Sequence, residues 1–460
     1  MPPADVAYPP RVTNRPQLRV CIVGAGSSGI AAAKELRQKN IAFDCFEASD
    51  RVGGNWVYRN KNGMSACYAG LYINTSRTRM EYPGFPMPKE FPDFPHHAQI
   101  AAYFDSYVDH YGVRGAIQFE TKVARIERQQ DGARFRVTTS RGENAYDAVL
   151  VANGHHWDPR WPDPPIPGAL DGVTMHAHAY ETPEIFAGKH VVVLGMGNSA
   201  MDIAVEASYV ATSTTLCSRR GAWVIPKYIF GRPLDTVVTD PRVPFRLRRR
   251  IGEALVNLSV GDLTRYGLPA PDHRLGHAHP TISGRILDRL GHGAITYRPM
   301  IERLEGDHVR FADGSRVRCD VLVYCTGYKV TFPFFEPGFV SAKDNDLPLF
   351  RRVFHPDVPG LFFVGLLQPL GAIMPLAQAQ GEWIADHLLG RYALPSRAAM
   401  RTDMDAERRE MFERYVASPR HTMQVDYDDY LYALAIERRA GEKRAARREG
   451  QAFATSSRAA

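Results

Sequence analysis

Cysteine is scarce and scattered in this sequence. Six of them (Cys21, Cys45, Cys67, Cys217, Cys319 and Cys325) are spread through 460 residues, with no C-x-x-C pair. That spacing excludes a disulfide framework and leads us to expect a reduced, cytoplasmic chain. Long apolar runs are missing as well. The longest, Leu361 to Ala377, is interrupted by Gly365, Gln368, Pro369, Gly371 and Pro375, so no membrane span is expected. The opening MPPADVAYPPRVTNRPQ has no apolar signal core and reads as a flexible arm over residues 1–17. Basic residues exceed acidic ones by only 57 to 50, a net charge of +7, and no recognisable nucleic-acid module accompanies them. The excess suits an anionic cofactor better than nucleic acid. His273, His277 and His279 cluster without a Cys or an acid at ligand spacing, so no metal site is expected.

What is present is concentrated in one stretch, Leu18 to Gly29, reading LRVCIVGAGSSG. Val20 to Val23 is an apolar run of the length of a buried parallel strand. Gly24-Ala25-Gly26-Ser27-Ser28-Gly29 supplies G-x-G-x-x-G at its exit, and Ile30 to Gln38 continues with helix formers. Glycines there turn the chain tightly and let the backbone approach a pyrophosphate, which the amides of the helix N-terminus hold. Ile41 to Phe46 then reads as a second strand ending in Glu47, placed to accept hydrogen bonds from a ribose hydroxyl pair.

Further along, Gly53-Gly54-Asn55-Trp56 offers a second close backbone approach and an indole able to cover a flat ring, or else a plain turn with a packed tryptophan. Tyr72-Ile73-Asn74-Thr75 precedes a Pro- and aromatic-rich stretch, Tyr82 to Phe94, that can line an apolar pocket or drape over the surface. Gln99 to Tyr111 reads as an amphipathic helix, Ile117 to Val137 as a small sheet, and Ala148 to Gly154 as a returning strand. A proline-rich connector, Trp157 to Gly168, follows. Beyond it the opening pattern returns. His190 to Leu194 is a strand run, Gly195-Met196-Gly197-Asn198-Ser199-Ala200 is G-x-G-x-x-A, and a helix continues from Met201.

The second unit ends differently. Its next strand, Thr214 to Cys217, runs into Ser218-Arg219-Arg220, with arginine where the first unit has Glu47. An acid suits a free ribose and repels a phosphate; arginine suits a 2′-phosphate through forked, charge-assisted hydrogen bonds. The first loop should therefore hold a cofactor with an unphosphorylated adenosine ribose and the second NADP, unless the arginines merely face solvent. Phe230 to Leu290 is an insertion of weak periodicity whose Arg246 to Arg250 run reads as a solvated helix face. Val309 to Ser315 reads as a hairpin with an Asp-Gly turn. Val321 to Cys325 and Leu361 to Gly365 read as buried strands, and Pro375 to Leu389 as a closing helix. The chain beyond about residue 400 is helix-prone, and its Arg-rich end from Ala440 is expected to be disordered.

Taken together these segments resemble the flavin-containing monooxygenases, in which one polypeptide uses both FAD and NADPH. That family carries F-x-G-x-x-x-H-x-x-x-Y/F between its two loops. Leu170 to Tyr180 matches at Gly172, His176 and Tyr180 and departs at Leu170, which stays apolar. Gly53 to Trp56, Tyr324-Cys325-Thr326-Gly327-Tyr328 and Gln368-Pro369-Leu370-Gly371 are similar too, so that the match runs roughly from residue 18 to 390. The expected architecture is α/β, with two Rossmann-like dinucleotide-binding domains. An FAD domain would comprise residues 18–160 and 318–395. An NADPH domain would comprise 161–317, with a helical insertion at 228–290, and 396–460 would form a helical extension with a basic tail.

Residues and resemblance together give a cofactor-binding set. On the flavin side it holds Gly24, Gly26, Ser27, Ser28, Gly29, Glu47, Gly54, Asn55, Trp56, Thr75, Val123 and Gln368. It continues with Gly195, Gly197, Asn198, Ser199, Ala200, Ser218, Arg219, Arg220, Thr326, Gly327 and Tyr328. The resemblance places Asn74 near the flavin's reactive edge, as the catalytic candidate; the alternative is a turn asparagine bonding its own backbone. It assigns His176 to linking the domains. The implied reaction is reduction of FAD by NADPH, addition of O₂ to give a C4a-hydroperoxyflavin, and transfer of one oxygen to an amine or sulfide. A homodimer is compatible with all of this and not required by it.

Rivals use overlapping parts. A Baeyer–Villiger monooxygenase oxidises ketones with the same cofactors, but such enzymes favour tryptophan then proline or aspartate where this chain has Tyr180-Glu181. A disulfide reductase needs a redox dithiol, and Cys21, Cys45 and Cys67 are too far apart in sequence. An uncoupled NADPH oxidase, or a non-enzymatic NADPH-binding module, would keep the loops without delivering oxygen to a substrate.

Overall fold

The structure, a computed structural model, describes residues 18–129, 134–237, 240, 242–415 and 422–453. The N-terminal arm and the end of the basic tail lie outside them. Two parallel five-stranded sheets organise the rest. In the first the order is Leu361–Phe363, Ala148–Val151, Arg19–Val23, Ala42–Phe46 and Ile117–Gln118. In the second it is Val173–His176, Val321–Tyr324, His190–Leu194, Ser213–Cys217 and Thr296–Arg298. In each, the strand that opens the glycine loop is central. Its unbroken apolar run is required because both faces are covered.

On the first sheet, Val20 and Ile22 face the helices Ser27–Gln38, His97–His110 and Met374–Leu388, while Cys21 and Val23 face the antiparallel strands Val123–Arg128, Phe135–Thr139 and Gly142–Tyr146. The Ser27–Gln38 and Met374–Leu388 helices pack closely because their contact is built of small residues. A Cβ on Gly381 would lie 2.9 Å from Ala32 Cα. On the second sheet, Val191 and Val193 face the helix Asn198–Val210, and Val192 and Leu194 face the hairpin strands Ile301–Gly306 and His308–Phe311. The expected Asp-Gly turn joins His308–Phe311 to the next antiparallel strand, Arg316–Arg318, with Asp313 Oδ1 accepting from Ser315 N at 3.0 Å.

Four expectations are revised. Val321–Tyr324 completes the second sheet, beside Val173–His176 and His190–Leu194, so the chain returns to the first sheet only at Leu361. The aromatics Tyr82, Phe85 and Phe94 pack into the first core with Tyr103 and Tyr107, while Tyr82, Pro83 and Pro86 also line a small cavity with Pro375 and Tyr427. Arg248 is not solvated. It is 9% exposed and pairs with Asp426 and Asp429 at the start of the helix Tyr427–Ala446. That helix also runs past Ala440, because Arg438 bonds Glu382 and Asp386, and Gly441 lies flat on the Tyr392 ring.

Candidate active site

The first glycine loop is shaped by approaches that no side chain could share. Gly24 has φ +98, and a Cβ there would sit 2.7 Å from Ala152 O; one on Gly29 would sit 1.8 Å from Gly24 O. Gly26 differs. Its φ of −74 is ordinary, and a Cβ would meet only Gly54 Cα, at 3.6 Å. Gly53 and Gly54, at φ +128 and +54, fold over this loop, and Gly53 N donates to Ala25 O at 3.1 Å. The double glycine expected to approach a cofactor thus lies directly on the loop expected to hold its phosphates. Asn55 fixes that turn by accepting from Ala66 N at 2.7 Å, and Trp56 packs half-buried against the first core. Ser27 O accepts from Tyr82 OH at 2.6 Å. The Ser28 side chain occupies the space left by Gly365, which residue spacing alone did not single out.

Glu47 is buried at the end of its strand. Its two oxygens accept from Ala25 N and Ser49 N, both at 2.7 Å. Burial pushes its pKa up, and those amide bonds pull against the shift. Each oxygen keeps a second lone pair for a ribose hydroxyl. Val123 begins the strand that follows Thr121, whose amide donates to Glu47 O at 2.8 Å.

Asn74 and Thr75 lie on a turn held from one side by Lys227, just before the insertion, and from the other by Asp235 within it. Lys227 Nζ donates to Ile73 O at 2.8 Å, and Ser76 N donates to Asp235 Oδ2 at 2.6 Å. Between these clamps the half-buried Asn74 amide makes no hydrogen bond to the described chain, so it is not spent on its own backbone. Lys227 also stands over the Phe94 ring, and burial pushes its ammonium down to about 8. Nothing in the residue spacing pointed to Lys227 or Asp235. Gln368 is half-buried on a strand paired with Gln424, and Gly371, at φ +140, makes room for Tyr427.

The second loop repeats the first. A Cβ on Gly195 would lie 2.7 Å from Cys325 O, Gly197 precedes the helix Asn198–Val210, and Ala200 is fully buried beneath. Asn198 Oδ1 accepts from Ile282 N at 2.8 Å, so the insertion is tied to this loop too; Ser199 is half-buried at the helix start. At the exit of Ser213–Cys217, Ser218 turns its hydroxyl inward to Arg220 O and Tyr297 OH at 3.0 and 3.1 Å. Arg219 is exposed and has no ion-pair partner among the described residues, whereas Arg220 Nε donates to Asp272. The two arginines are therefore not equivalent.

Between the units, Thr326 Oγ1 donates to Arg160 O, and Arg160 N donates to Gly327 O at 2.9 Å. The Tyr328 ring meets those of His156, His176 and His178 with centroids 5.4–5.8 Å apart. Burial, aided by His178, pushes His176 down to about 4, so it is neutral at physiological pH. Tyr180, which ends the same motif, donates to Glu206 on the nucleotide helix, and Tyr68 donates to Asp202 at 2.5 Å. Burial raises both carboxyl pKa values.

Two α/β units, each with a glycine loop at the exit of its central strand, are the architecture of an enzyme that binds two dinucleotides. The chain belongs to the FMO-like family, the flavin-binding monooxygenases, whose model matches residues 17–442. It is 35% identical over 439 residues to flavin-containing monooxygenase 5 of Rattus norvegicus, covering 91% of this chain and 82% of the relative. To flavin-containing monooxygenase 2 of Homo sapiens it is 32% identical over 441 residues, with the same coverage. Among solved structures it resembles S-allyl-L-cysteine S-oxygenase from Allium sativum, with TM-score 0.69, 26% identity and coverage of 93% and 92% of the two chains. Cyclohexanone monooxygenase from Rhodococcus sp. Phi1 bound to NADP⁺ shares the fold, with TM-score 0.69, 18% identity and coverage of 91% and 97%. The chain is thus an FAD- and NADPH-dependent monooxygenase, with O₂ as co-substrate. Among the described residues no helix is long and apolar enough to cross a membrane, and no group of His, Cys, Asp and Glu could hold a metal ion.

Proposed function

We propose that this chain transfers one atom of O₂ to the nitrogen or sulfur of a small soft nucleophile. The observation that carries the reading is the uncommitted amide of Asn74, clamped by Lys227 and Asp235 on a turn that itself carries no carboxylate. A neutral amide can donate to a developing oxygen centre and accept from a neighbour without adding charge. FAD, when bound, supplies the oxygen-activating chemistry. The chain's share is to seat the flavin phosphates on Gly24 to Gly29 and the ribose on Glu47. It seats the nicotinamide nucleotide on Gly195 to Ala200 with Arg219, and it holds the Asn74 turn in place through Lys227 and Asp235. The relative from Allium sativum, named as an S-oxygenase, supports a sulfur acceptor, and another relative is named a dimethylaniline monooxygenase of the N-oxide-forming type.

Ketone oxidation is the second reading, supported by the fold shared with cyclohexanone monooxygenase. Against it stands Tyr180-Glu181 at the end of the histidine motif, where Tyr180 is committed to Glu206 and Glu181 to Arg59. Asn74→Ala separates a functional amide from a structural one. FAD content and anaerobic reduction by NADPH should hold, while product per NADPH falls and hydrogen peroxide release rises. An unchanged product yield would remove Asn74 from the reaction.

A further inference from the structure

The exit of the Ser213–Cys217 strand carries, besides its two arginines, a carboxylate that is built into place. Arg220 Nε donates to Asp272 Oδ2, and the other Asp272 oxygen bonds His273 Nδ1 at 2.7 Å. The loop bearing Asp272 is pinned against the arginines from two directions. Trp223 Nε1 donates to His273 O at 2.8 Å, and the backbone at Gly221 lies so close that a Cβ there would sit 2.2 Å from Ala270 O. Burial alone would raise the Asp272 pKa, but the bonds from Arg220 and His273 outweigh it and hold the group below its ordinary range, ionised at neutral pH.

A negative charge is an odd neighbour for a dianion. The 2′-phosphate of NADPH should sit by Arg219 and Arg220, and Asp272 neutralises one of those arginines, occupies its Nε and repels the phosphate. Arg219 alone is left fully available. We propose that Asp272 is a specificity-determining residue that attenuates the preference of the second nucleotide site for NADPH over NADH. The inference rests on reading Arg219 and Arg220 as the phosphate contacts. The carboxylate lies in the insertion, in the same segment that bonds the second loop through Ile282 and the Asn74 turn through Asp235. Selectivity is thereby set by a loop outside both sheets.

The test is binding of 2′,5′-ADP and of 5′-AMP to the FAD-loaded protein by titration calorimetry, for parent, Asp272→Asn, Asp272→Ala and Arg219→Ala. Asparagine keeps the size and the loop hydrogen bonds. Retained 5′-AMP affinity reports that each variant is folded. Freeing a half-exposed arginine from one ion pair should tighten 2′,5′-ADP about two- to five-fold in both Asp272 variants, with 5′-AMP unchanged. The gain should shrink between about 0.05 M and 1 M salt as screening sets in. Unchanged or weakened 2′,5′-ADP binding in both variants would overturn the role of Asp272. If Arg219→Ala weakens both ligands equally, it is the phosphate reading beneath that fails.

Discussion

Adding a single methyl group at Gly26 and at Gly29 should have opposite consequences, although the two glycines belong to one loop. A Cβ on Gly29 would lie 1.8 Å from the carbonyl oxygen of Gly24, against an ordinary contact of about 3.4 Å, so helix and loop must part by more than an ångström. Overpacking of this kind costs about 1–3 kcal/mol, and in a chain of this size the melting temperature should fall by roughly 1–3 °C with or without cofactor. A Cβ on Gly26 meets nothing nearer than Gly54 Cα at 3.6 Å, and its φ of −74 suits any residue. Gly26→Ala should therefore melt as the parent does when both are stripped of flavin. What the methyl does obstruct is the backbone approach that a pyrophosphate needs. Loss of one or two hydrogen bonds to a charged phosphate, at about 1.5–3 kcal/mol each, weakens FAD by roughly ten- to a thousand-fold or more. Calorimetric melting of the two apoproteins and flavin titration by fluorescence quenching measure both effects. Parent-like FAD affinity in Gly26→Ala would refute the assignment of this loop to the flavin phosphates.

Arg219→Ala should weaken NADPH by about tenfold, the lower end for an exposed charged hydrogen bond, and leave NADH nearly unchanged; equal losses would mean the arginine supports the fold. Stability should depend on pH through Lys227. Its folded pKa of about 8 lies below the unfolded value near 10.5, so the unfolded chain binds more protons between these limits and stability rises with pH across that window. Melting of Lys227→Met against pH should lose that rise, and a rise that persists would place its origin elsewhere.

Much of the scaffold is legible in the chain because its constraints are local. Gly24 and Gly29 must be glycine for contacts within a few residues of sequence or with the adjoining strand, and Val20 to Val23 must be apolar because both faces of the sheet are covered. What escaped reading is made by distant partners. Arg248 looks solvated beside Arg246 and Arg250 until Asp426 and Asp429 arrive from the far end of the chain. The same holds for Lys227 and Asp235, whose bonds to Ile73 and Ser76 cross from the second unit to the first. Ser218 reads as a phosphate contact by position, yet its hydroxyl is satisfied by Arg220 O and Tyr297, which a linear pattern cannot show. Arg438 and Arg444 make a tail that looks charged and loose into an ordered helix, through Glu382, Asp386 and Glu437.

The central claim is that an oxygen atom from O₂ is delivered to a soft nucleophile. The direct measurement supplies NADPH and ¹⁸O₂ to the FAD-loaded protein with a thioether, a tertiary amine and cyclohexanone in parallel, and analyses products by mass spectrometry. The account predicts a sulfoxide or an N-oxide carrying one ¹⁸O atom, with NADPH consumed in proportion. A labelled lactone from cyclohexanone with no sulfoxide or N-oxide, or hydrogen peroxide as the only product from all three, would contradict it.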